Sequence, residues 1–166
     1  MRANRLAAAR GFSPREVSIA VLAAGLGALG IAYFAEYALH MIPCPLCYIE
    51  RWPYRIIVVL GLVAAFAPPR FARVLLGLAM VAMLGDVVIA FVHVGAEQHW
   101  WKSPLPECNI APAGFGAMPL RPSASCDDPV YLIPGLPISF ATMDLIYALT
   151  VAVGIGTYLR VNRWRA

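Results

Sequence analysis

The chain has 166 residues, about one domain's worth. It is 61% hydrophobic and only 13% charged, where soluble domains carry roughly 25% charged residues, so an ordinary cytosolic globule is excluded. The net charge of +4 comes without aromatic–basic interleaving or a phosphate-binding glycine motif, which argues against a nucleic-acid partner.

A membrane-spanning helix needs roughly 20 mostly apolar residues. The first candidate follows a basic leader (Arg2, Arg5, Arg10, Arg15); residues 17–35 carry no charge, and a span is predicted over about 17–40. This run is longer than the roughly 7–15 residues of a signal-peptide core and no small-x-small cleavage site follows it, so with Met1 at the start it reads as an uncleaved anchor. The second run, 56–67, is too short alone and reaches spanning length only if its helix begins near Leu46, giving about 46–67. The third, about 72–94, is interrupted by Asp86 and His93. The fourth, about 138–159, is interrupted by Asp144. Between the last two lies a loop of about 95–137, whose residues 103–137 hold eight prolines and three glycines and therefore read as irregular and functional. Trp100 and Trp101 suit a membrane interface, where that segment is expected to lie flat, as anchors first of all.

The expectation is an all-α membrane protein, a single domain (1–166) built as a bundle of four transmembrane helices. Basic residues set its orientation. They precede the first span, occupy the 68–73 turn (Arg70, Arg73) and follow the fourth span (Arg160, Arg163, Arg165). The long loop has only Lys102 and Arg121, against Glu97, Glu107, Asp127 and Asp128. Both termini are thus expected in the cytoplasm, with the 41–50 region and the long loop on the opposite side.

That topology puts Cys44, Cys47, Cys108 and Cys126 on the oxidising side of the membrane. Two disulfides are expected, in any of three connectivities; Cys44–Cys47 with Cys108–Cys126 is favoured because a Cys-x-x-Cys pair can close on itself. The stretch "IPCPLCYIERW" (42–52) explains why the first pair is more than structural. Pro45 suits the first position of a helix, which makes Cys44 its N-cap and Cys47 its third residue. A helix N-terminus stabilises thiolates. Arg51, one turn after Cys47 on the same face, suits a thiolate or an anionic ligand oxygen. The alternatives are structural disulfides, a zinc site lacking a second Cys-x-x-Cys or Cys-x-x-His, and an Arg51 that merely snorkels to the interface. A bridge over two residues closes so small a loop that it contributes little loop entropy, which weighs against a structural role for Cys44–Cys47. A disulfide in the long loop is open to attack by another protein's thiolate.

The motifs "CPLCYIER" at 44–51 and "FVHVG…WWKSPLPEC" ending at Cys108, with Cys126 before a last apolar span, resemble the disulfide-bond formation protein B (DsbB) family of bacterial inner-membrane proteins. The resemblance runs along essentially the whole chain. It implies a thiol–quinone oxidoreductase that reoxidises a periplasmic thioredoxin-like dithiol oxidase (DsbA-like) and passes the electrons to membrane quinone, ubiquinone or menaquinone. By motif position Cys44 and Cys47 are the quinone-linked pair, and Cys108 and Cys126 the pair that meets the soluble oxidase. Arg51 and His93 resemble the quinone-site residues. No metal is implied. The Cys108–Cys126 interval is short for the family. Competing readings are a vitamin K epoxide reductase-like enzyme, whose Cys-x-x-Cys is expected later in the chain, and a non-enzymatic scaffold with structural disulfides.

One expectation owes nothing to the resemblance. Counted at about 1.5 Å per residue, Arg55 lies roughly 12 Å below the cysteine motif, and Asp86 and Asp144 each roughly 10 Å from the outer ends of their spans. Charges inside a span usually pair within the bundle, so these three are expected to form a buried cluster.

Overall fold

Ser13 opens the first helix. Its hydroxyl accepts from the Glu16 amide at 3.3 Å and its own amide donates to the Glu16 carboxylate at 2.7 Å, a reciprocal cap with Pro14 in the first turn. The computed structural model describes residues 12–109, 125–132, 135 and 137–163. The basic residues Arg2, Arg5, Arg10, Arg121 and Arg165, and most of the interval between Cys108 and Cys126, lie outside the described residues.

Among the described residues there are four α-helices and no strand: α1 Pro14–Tyr37, α2 Pro45–Phe66, α3 Pro69–Glu97 and α4 Phe140–Arg163. A 3-10 turn, Pro106–Asn109, carries Cys108. The helices match the four predicted apolar segments, with α1 ending at Tyr37 rather than continuing to 40, and α3 running on to Glu97. Several prolines sit where their chemistry suits, although Pro53 lies inside α2. Pro14, Pro45 and Pro69 sit at helix starts, where the missing amide costs nothing, and Pro68 holds the two-residue link between α2 and α3.

Consecutive helices pack on one another, and α1 also meets α3 and α4. All four contribute to one core, with Val21 from α1, Tyr54 and Ile57 from α2, Leu76 and Met83 from α3, and Ala148 and Ile155 from α4. The outside is at least as greasy: Phe34, Val59, Phe66, Val81, Val88 and Val153 are all exposed. Helices apolar all round belong in lipid. Three of them, α1, α3 and α4 over Phe140–Asn162, are long and apolar enough to cross a membrane. The remaining helix, α2, carries Glu50, Arg51 and Arg55 and does not reach that measure.

Small residues let α1 and α2 approach closely. A Cβ placed on Gly61 would stand 2.9 Å from the Leu22 amide nitrogen and 3.1 Å from the Ser18 carbonyl oxygen, and neither backbone atom has room to yield. Gly61→Val is therefore expected to destabilise the bundle by about 1–3 kcal/mol. Gly27→Val, with nothing within 4 Å of its Cβ, is the control. Thermal unfolding in detergent reads the difference, and equal melting of the two variants would disprove the close approach.

Candidate functional site

The start of α2 is built as its sequence dictates. Cys44 is the N-cap, in extended conformation, and its sulfur accepts from the Cys47 amide at 3.2 Å. Cys44 is buried and Cys47 half-buried. Their sulfurs stand 2.7 Å apart as free thiols, so of the two expected disulfides this one is open in the structure. The other, Cys108–Cys126, is formed.

The two pairs share one cluster. Cys44, Leu46, Cys108 and Cys126 pack together, with Cys47 and Leu105 against them. Cys108 is 4% and Cys126 1% exposed, which corrects the expectation of an open, attackable loop disulfide. The reason is packing: the 3-10 turn folds back onto the start of α2, and the Ser125 hydroxyl donates to the Cys108 carbonyl at 3.3 Å. The same hydroxyl donates to the Asp127 carboxylate, which holds that carboxyl below its usual range.

Behind the inner pair stands His93, brought from α3. Its Nε2 lies 3.4 Å from Cys44 Sγ and its Nδ1 2.8 Å from Glu50 Oε1, all three side chains buried. Thiol, imidazole and carboxylate are thus in line. Farther along α3, the Ser139 hydroxyl donates to Glu97 at 2.5 Å. Glu50 sits inside the quoted motif, yet sequence reasoning gave it no role. The available signal was its place three residues after Cys47, on the same helix face.

On the other side of the cysteines is a cavity of about 190 Å³ between α1, α2 and α4. Its walls are mostly apolar (Ala28, Ile31, Ala32, Met41, Ile42, Phe140, Met143), and Cys47, Glu50, Arg51, Tyr54 and Asp144 reach into it. Arg51 is held from three directions. It pairs with Glu36 of α1 at 2.5 Å, and its guanidinium lies 5.0 Å from the ring centres of both Tyr33 and Tyr48. The partner Glu36 went unassigned in the sequence, although a lone acid at the end of a charge-free run was the signal for it. His93 does not line the cavity, because it lies on the far side of the cysteine pair.

The expected Arg55–Asp86–Asp144 cluster is corrected. Arg55 donates to the Tyr33 hydroxyl at 2.8 Å and lies over the Trp52 ring, and it makes no ion pair among the described residues. Instead, the Tyr54 hydroxyl donates to Asp144 at 2.6 Å, with Asp86 in electrostatic reach of both. Asp86 is wholly buried, and among the described residues neither of its oxygens has a hydrogen-bond partner at ordinary distance. Helix rotation explains the miss. At 3.6 residues per turn Arg55 follows Arg51 onto the α1 side, while Tyr54, one residue back and about 100° round, faces the acids.

The family model described as disulfide bond formation protein DsbB matches residues 14–157. The chain belongs to the DsbB family. Relatives named "Disulfide bond formation protein B" include one from Herminiimonas arsenicoxydans, 35% identical over 98 residues, which are 59% of this chain and 60% of that protein. One from Chromobacterium violaceum is 33% identical over 61% of this chain and 59% of its own length. One from Marinobacter nauticus is 26% identical over 81% of this chain and 85% of its own. The chain thus spans about three-fifths of the length of the first two relatives and most of the third. No solved structure matches the chain. DsbB-family proteins are oxidoreductases of disulfide-bond formation, and with three helices apolar enough to cross a bilayer this chain is a multi-pass membrane protein.

Proposed function

We propose that this DsbB-family protein is a thiol–quinone oxidoreductase of the bacterial inner membrane. It reoxidises a thioredoxin-like dithiol oxidase on the periplasmic side and passes the electrons through its two cysteine pairs to membrane quinone. All four helices span, including the more polar α2, with both termini in the cytoplasm. The observation that carries the reading is the gathering of four cysteines in one cluster, with Cys47 also in the wall of an apolar cavity.

The cavity suits a quinone. An apolar cavity of about 150 Å³ accepts a benzene ring, and this one is of ring size, with a few converging polar groups. Arg51 would hold the head group at one of its oxygens. Bound there, quinone supplies a two-electron acceptor.

The chain's own residues do the rest. The partner's thiolate attacks Cys108, the loop disulfide breaks, and Cys126 leaves as a thiolate. The partner's second cysteine resolves the mixed disulfide and departs oxidised, leaving Cys108 and Cys126 reduced. Exchange with a Cys44–Cys47 disulfide moves the electron pair inward and reforms Cys108–Cys126. Closing Cys44–Cys47 again needs a Cys44 thiolate. His93 takes its proton at Nε2 while Glu50, on Nδ1, orients the ring and balances the imidazolium. Because Cys108 is buried, the first attack requires the loop to open.

The test is stopped-flow loss of quinone absorbance with purified protein and a reduced thioredoxin-like donor, run separately with ubiquinone and menaquinone. Turnover with at least one is expected, and none with either would leave the non-enzymatic scaffold. A donor lacking its resolving cysteine is expected to be trapped on Cys108. Trapping on Cys44 with Cys108 untouched would overturn the order of the relay.

A further inference from the structure

We propose that the reduced Cys44–Cys47 pair and His93 form a binding site for a thiophilic divalent cation of the zinc class. Two sulfurs and one imidazole nitrogen, contributed by two helices, lie within 4.8 Å of one another. Zinc bonds to thiolate sulfur at about 2.3 Å and to imidazole nitrogen at about 2.0–2.1 Å, so a tetrahedral centre sets a sulfur–nitrogen edge of roughly 3.6 Å. Cys44 Sγ and His93 Nε2 already stand 3.4 Å apart. The two sulfurs, now 2.7 Å apart, have to spread by about 1 Å to match a tetrahedral edge. Rotation of the half-buried Cys47 side chain allows this.

A second feature points the same way. The nitrogen facing the sulfurs is Nε2, and the other ring nitrogen is hydrogen-bonded to the Glu50 carboxylate at 2.8 Å. A carboxylate on the far nitrogen is how metal-bound histidines are commonly oriented and made more basic. Cys47 lines the cavity, which leaves a fourth coordination position for water from that side. The loop pair takes no part, because Cys108 and Cys126 are bonded to each other.

Binding is a proton exchange. One divalent cation enters, two thiols become thiolates, two protons leave, and no electron moves. Both sulfurs are then committed to the metal and cannot join each other. Cation binding and disulfide closure exclude one another, so the cation holds the inner pair reduced and stops electron flow.

The site is tested with zinc itself on the full chain in detergent, reduced with a phosphine and titrated against a chromophoric chelator. A Cys108→Ser/Cys126→Ser background removes the loop thiols. One zinc per chain is expected. It should be absent when the inner pair is oxidised in the same protein, a control that needs no further substitution. Cys44→Ser and Cys47→Ser are expected to lose the site, and Glu50→Gln to weaken it by about 10–100-fold. His93→Ala should weaken it more than Glu50→Gln. Equal binding by oxidised and reduced protein, unchanged affinity in His93→Ala, or no zinc above a detergent blank would each overturn the site. The measurement uses neither donor nor quinone. Turnover by the wild-type chain with no zinc on the Cys108→Ser/Cys126→Ser protein defeats only the metal site, and zinc on that protein with no wild-type turnover defeats only the redox reading.

Discussion

His93→Phe is expected to slow electron flow from donor to quinone by about 10²–10⁴-fold, the usual contribution of a positioned general base. Among the described residues the imidazole is the one basic side chain in contact with Cys44, with Nε2 3.4 Å from the sulfur and Nδ1 hydrogen-bonded to Glu50. Phenylalanine fills the same space and cannot take the proton. Trapping of the donor on Cys108 should be unaffected, because that step precedes any use of the inner pair. Glu50→Gln keeps the hydrogen bond but loses the charge that balances an imidazolium, so its loss of turnover should be smaller. Normal turnover in a well-folded His93→Phe protein would remove the histidine from the proton path.

The second large effect is expected at Arg51. Its side chain is 8% exposed and pairs with Glu36, itself 17% exposed, so Arg51→Ala leaves a partly buried acid that still accepts from the Tyr48 hydroxyl at 3.2 Å. Breaking a fully buried pair costs about 3–5 kcal/mol, and this partly buried one costs less. Arg51→Ala should therefore lower the unfolding temperature and also raise the Michaelis constant for quinone, because the guanidinium lines the cavity. The double variant Glu36→Gln/Arg51→Met separates the two roles. Removing both charges should recover most of the stability while quinone use stays poor. If Arg51→Ala leaves both melting and quinone use unchanged, the arginine is only an interface anchor.

Much of this protein is determined by local sequence. Mostly apolar runs and the proline at 45 place four helices to within a few residues, since a helix start tolerates proline and lipid disfavours charge. The N-cap position of Cys44 follows from Pro45 alone. Sequence spacing also gives depth along a helix, because rise per residue is constant. It does not give rotation or choice of neighbour, and the tertiary structure decides those. Packing turns Arg55 towards Tyr33 while Tyr54 meets Asp144, which undoes a cluster inferred from depth. Packing sets His93 of α3 against Cys44 at the start of α2, 49 residues earlier, and so gathers two thiols and an imidazole that no linear motif spells out. It supplies Glu36 to Arg51 across the α1–α2 contact, and it buries a proline-flanked loop disulfide that composition alone marks as open. Each of these depends on which helix faces meet, a property of side-chain fit between segments far apart in the chain.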